Sequence, residues 1–102
     1  MSQDYKTLNT YPIIKNFSAV QTWTEVLLPS KAYRLTVGCE QHDIYVSFTG
    51  SEGGSIVGID KVFIKAGGYM EFTRGRGSNQ HSIIYIATKS SSSGEVTVIL
   101  EE

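Results

Sequence analysis

Apolar and polar residues alternate with a period of two along most of this chain. Val20, Thr22, Thr24, Val26 and Leu28 alternate with Gln21, Trp23, Glu25 and Leu27, which predicts one long strand closed by Pro29. Tyr33, Leu35 and Val37 alternate with Arg34 and Thr36, and Ile44, Val46 and Phe48 alternate with Tyr45, Ser47 and Thr49. Residues 62–64, 69–73, 82–88 and 95–100 read as further short strands. β-Branched and aromatic side chains crowd these runs, and such residues suit a pleated, half-buried surface. Clusters of Gly, Ser, Pro, Asp and Asn at 29–31, 39–43, 50–55, 66–68, 74–80 and 89–94 supply the turns between them. No segment keeps a 3.6-residue apolar stripe for the ten or so residues that a helix needs. Seven or eight strands at roughly 8–12-residue spacing predict an all-β, antiparallel β-sandwich, either jelly-roll or immunoglobulin-like. The Cys…Trp…Cys spacing of antibody-type domains is missing.

Residues 1–17 depart from this rhythm. Tyr5, Leu8, Tyr11, Ile13, Ile14 and Phe17 are apolar, but their spacing is irregular and Pro12 interrupts it. We read 1–17 as an N-terminal arm or edge strand and 18–102 as a single sandwich domain. The arm either lies along its own sandwich or reaches to a neighbouring subunit, since sheet edges and apolar faces need covering.

A length of 102 residues allows one domain. Nine Lys and Arg against ten Asp and Glu give a net charge of −1, so the chain lacks the basic stripe that a broad grip on nucleic acid requires. No apolar run of about 18 residues is present, and no membrane span is expected. The polar start, Met1 to Lys6, has no apolar stretch behind it and does not look like a secretory signal. With a single cysteine, Cys39, no intrachain disulfide can form. Both features lead us to expect a protein made in a cytosol, and the same would hold for a virion component released by lysis. On that basis the glycosylation sequon Asn16-Phe17-Ser18 is accidental.

Cys39-Glu40-Gln41-His42-Asp43 places a thiol, an imidazole and two carboxylates within five residues. Nucleophilic catalysis needs a thiolate held beside an oriented base, and zinc needs a further ligand pair. Consecutive residues in a turn point in different directions, so we read this segment as a polar turn with Cys39 as its small buried end. Gly75-Arg76-Gly77 begins like a nucleotide-binding loop, but it leads into the strand Ile83 to Ile86 where such a loop requires a helix. No cofactor, metal or catalytic residue is expected, and we expect no enzyme. Arg74 and Arg76, with Asn79 and His81, form the one locally basic loop, which suits contact with an acidic protein surface. Trp23 and the tyrosines at 33, 45, 69 and 85 could form stacking platforms, but Tyr45 and Tyr85 have few basic neighbours in sequence. Trp23, out of phase with Val20 and Val26, is expected on the opposite face, capping a second apolar layer or lying in a subunit interface. Ser90 to Gly94 reads as a flexible connection into the last strand.

The run Trp23-Thr24-Glu25-Val26 to Leu28-Pro29-Ser30, then Tyr33 to Val37, Asp43 to Phe48, Ile64-Lys65-Ala66-Gly67-Gly68-Tyr69 and Ile83 to Ala87 with its Ser-rich turn resembles small β-sandwich virion proteins of tailed bacteriophages. The resemblance implies a structural role, most specifically a capsid decoration (cement) protein. A neck or tail component, or a tail-borne carbohydrate- or receptor-binding module, is the alternative. It also implies the major capsid protein or other virion subunits as partners, with homo-oligomers, trimers above all, and no nucleic acid or membrane. Ile83, Tyr85 and Ala87 alternating with Ile84 and Ile86 give a strand apolar on both faces, which must be covered twice. Candidate contacts are Tyr5, Leu8, Tyr11, Ile13, Ile14, Trp23, Arg74 and Arg76.

Overall fold

The computed structural model describes residues 12–74 and 81–102. Within them the chain forms eight strands and no helix: β1 (Ile13–Ala19), β2 (Thr24–Leu27), β3 (Arg34–Cys39), β4 (Ile44–Ser47), β5 (Val62–Ile64), β6 (Tyr69–Thr73), β7 (Ile83–Thr88) and β8 (Gly94–Glu101). Two four-stranded sheets hold them, in the orders β1-β8-β3-β6 and β2-β7-β4-β5, and every pairing is antiparallel. The all-β sandwich predicted from the alternation is the fold observed.

The pairing follows one rule. β4 pairs with β5, β3 with β6, β2 with β7 and β1 with β8, so the chain is one long hairpin nested about the β4–β5 connection. Rolling that hairpin brings β8 against β3 and β7 against β4, which completes the sheets. This connectivity is the eight-stranded jelly roll, and it decides between the two sandwich types expected.

Strand parity builds the core. Leu35, Val37 and Cys39 of β3 and Val96, Val98 and Leu100 of β8 face Ile44 and Val46 of β4 and Ile84 and Ile86 of β7, all buried in one cluster. Each such aliphatic side chain contributes about 1.5–3 kcal/mol on full burial. Ile13, Phe17, Phe48 and Phe72 close the margins of the cluster.

The predicted strand over residues 20–28 is shorter than expected. Only Thr24–Leu27 is regular. The strand stops short of Trp23, whose backbone pairs instead with the β4–β5 connection: its N–H donates to the Gly54 carbonyl at 3.0 Å and its carbonyl accepts from Gly53 at 2.8 Å. The first element, Ile13–Ala19, is an edge strand paired along its full length with β8. It alternates Ile13, Lys15, Phe17 and Ala19 inward against Ile14, Asn16 and Ser18 outward.

Candidate functional site

The residues expected to make contacts fall into three groups. Tyr5, Leu8, Tyr11 and Arg76 lie outside the described residues. Ile13 is half-buried against the core, while Ile14, next to it on β1, turns outward with 59% of its surface exposed. Ile14 is paired across the sheet with Ile99 of β8.

Trp23 is a correction, and Arg74 is engaged within the chain. Trp23 is 1% exposed, so it offers no surface to a partner. It stands apart from the inter-sheet cluster, as does the equally buried Ala87, whose parity puts it on the outer side of the second sheet. The β4–β5 connection folds over Trp23, and the Gly50 backbone packs so closely on the indole that a Cβ there would stand 3.0 Å from Cδ1. Trp23 thus caps a second, smaller apolar layer, one of the two roles its phase allowed. Its indole Nε1 has no hydrogen-bond partner.

The Arg74 guanidinium is taken up by backbone carbonyls. Its Nε donates to the Ala32 carbonyl at 2.7 Å, and its two terminal nitrogens donate to the carbonyls of His81 and Pro29. The guanidinium fork gathers the β2–β3 turn and the start of the segment leading into β7, which accounts for arginine at this position.

In the connection between β3 and β4 the two carboxylates, Glu40 and Asp43, turn to separate partners, while the Cys39 thiol and the His42 ring meet against Gly94. Cys39 is buried. The Asp43 carboxylate accepts the Ala66 N–H at 2.8 Å, and Glu40 accepts the Tyr69 hydroxyl at 3.0 Å. His42 packs on Gly94, where an added Cβ would stand 2.7 Å from its ring and 3.2 Å from the Cys39 sulfur. The Glu40 carboxylate, by accepting from the Tyr69 phenol, raises that phenol's pKa above its ordinary value, with desolvation adding to the effect. No group of three His, Cys, Asp or Glu residues placed to hold a metal occurs among the described residues.

What the chain does present is two structured outer faces. The outer face of the first sheet sets polar pairs beside Ile14 and Tyr69: Arg34 lies 3.9 Å from Glu71 and 3.7 Å from Glu101, and Thr97 donates to Asn16 at 2.7 Å. The second sheet is more apolar outside. Leu27 is 61% exposed and sits opposite Ile83, and Phe63 is 45% exposed and sits opposite Tyr45. The Tyr45 and Phe63 rings are 5.9 Å apart at 58°, and an ammonium stands 5.2 Å from each ring centroid, Lys61 on Tyr45 and Lys89 on Phe63. Tyr45, with few basic neighbours in sequence, gains one in space, because the β4–β5 pairing brings Lys61 beside it. Phe63, Lys61 and Lys89 were not among the expected contacts. Parity alone marks 61 and 63 as outward positions, but their partners depend on register. A cleft of about 660 Å³ also runs between the edge strands β1 and β2, lined by Ile14, Lys15, Phe17, Thr24 and Leu27 among others, with the Lys15 ammonium donating across it to the Leu27 carbonyl at 3.2 Å.

These features define a jelly-roll domain with exposed apolar side chains, Ile14, Leu27 and Phe63, on its sheet faces and edges. Compared with protein-family models, curated proteins and solved structures, the chain matches none.

Proposed function

We propose that this chain is a non-enzymatic structural subunit of a bacteriophage particle, most specifically a capsid decoration protein that binds neighbouring virion subunits and is used in many copies. The observation that carries the reading is apolar exposure outside a core that is already complete. Leu27, Ile14 and Phe63 are 61%, 59% and 45% exposed, although the two sheets already bury a continuous cluster between them. Apolar side chains held on rigid sheet faces suit protein–protein contact. Burial there contributes about 25 cal/mol per Å², and many modest interfaces acting together resist release. Jelly rolls serve in viral capsids and also in lectins, so the fold alone does not assign the role. A sugar platform is less well supported, because Trp23 is sealed and the Tyr45 and Phe63 rings each carry an ammonium. Banding this chain with particles in a density gradient tests the proposal. Co-migration with intact particles is expected, whereas recovery only in the soluble fraction would contradict it.

A further inference from the structure

Building on the virion reading, we infer that the outer face of β4 and β5, centred on Tyr45 and Phe63 and flanked by Lys61 and Lys89, is the surface that docks onto a carboxylate-bearing protein surface of the particle.

Three observations carry this. First, the two rings are rigidly placed: Tyr45 and Phe63 are directly paired across β4 and β5, while Ile44, Val46 and Ile64 beside them are locked in the core. Second, neither ammonium has a carboxylate partner among the described residues, where the ion pairs belong to Arg34. Lysine beside an edge strand can serve to keep sheets from pairing edge to edge, which would account for Lys61 next to β5. It does not account for Lys89, which follows β7, an interior strand. Third, the cations sit on the ring faces. That position hinders the flat stacking by which sugars and bases use aromatic residues. It leaves ring edges and apolar neighbours for side chains, with two positive charges at the margin for carboxylates. A partner surface with acidic residues around an apolar centre matches both parts, and the opposed charges would speed and orient docking. Duplex DNA matches poorly, because two lysines on a chain of net charge −1 neutralise few phosphates.

The experiment adds purified chain back to particles assembled without it and measures the bound fraction by co-sedimentation at low and high salt. Wild-type protein is expected to bind, and more weakly as salt rises. Reversing both charges (Lys61→Glu with Lys89→Glu) should weaken binding by about tenfold or more, and Lys61→Gln with Lys89→Gln should weaken it less. Glu95→Lys, on the outer face of the other sheet, should leave binding unchanged. Melting curves confirm that each variant folds. Equal binding by wild type and the charge-reversed protein would overturn this inference and leave the virion reading standing. Failure of the wild type to bind particles at all would overturn both. Retention of the wild type on duplex DNA, lost with the two lysines, would show a phosphate-reading face and also overturn it.

Discussion

The Tyr69 ring lies directly over Gly38, its cross-strand partner, so closely that a Cβ at Gly38 would stand 2.3 Å from Cδ2 of the ring. The ring covers bare backbone on the outer face of the first sheet, and from there its hydroxyl reaches Glu40 at 3.0 Å. Gly38→Ala should therefore displace the ring and destabilise the fold by about 1–3 kcal/mol. Adding Tyr69→Ala should recover part of that loss, and urea denaturation of the two single variants and the double variant measures the coupling. Additive losses would show that the two residues are not packed as described.

The same pair makes stability depend on pH. The Tyr69 phenol has a raised pKa in the folded chain, chiefly because it donates to Glu40. The folded state holds this proton more tightly than the unfolded state does. Its stabilising contribution is thus complete below the ordinary tyrosine pKa of about 10 and is lost as pH rises through the folded value. Urea midpoints measured upward from pH 8 should fall less steeply in Glu40→Gln than in the wild type. Parallel curves would remove Glu40 as the cause.

Arg74 is predicted to matter for stability first. Arg74→Ala strips donors from the carbonyls of Pro29, Ala32 and His81 and should cost about 2–3 kcal/mol. Arg74→Lys should recover less than half of this, since an ammonium cannot reproduce the planar fork. Thermal melts of the three proteins give the order, and a melt of Arg74→Ala matching the wild type would show that these hydrogen bonds do not stabilise the fold.

Trp23 is the single tryptophan of the chain and is 1% exposed, which makes it a direct reporter of the small layer under the β4–β5 connection. Native fluorescence should be blue-shifted and resistant to iodide quenching. Trp23→Ala should cost about 3–5 kcal/mol. Trp23→Phe should cost less, because it removes an indole N–H that has no partner. Readily quenched native emission would mean that the layer is open.

Much of the fold was legible in the sequence because burial in a sandwich imposes period two. Strands 62–64 and 69–73 were located at their observed bounds. β1 was harder to read. Lys15 occupies an inward position beside Ile13 and Phe17 while Ile14 points out, so the edge strand lacks a clean apolar face. Trp23 lies on the face away from Val26, as its phase predicts, but its sealing under the β4–β5 connection depends on a loop that alternation does not describe. Alternation carries no information about which strand pairs with which, and this is why the nested order and the jelly-roll type emerged only from the structure. The Lys61–Tyr45 and Lys89–Phe63 contacts were invisible for the same reason, since they depend on strand pairing. Of the Cys39 to Asp43 segment, Cys39 and His42 pack together against Gly94, whereas Asp43 holds the Ala66 N–H.

The central claim is that this jelly roll is a repeated structural part of a particle. Quantitative mass spectrometry of purified particles, calibrated against the major capsid protein, tests it most directly. A copy number comparable to that of the capsid subunits is predicted, and a few copies per particle would place the chain in the neck or tail. Its absence from particles, with the protein recovered only from host cytosol, would contradict the account.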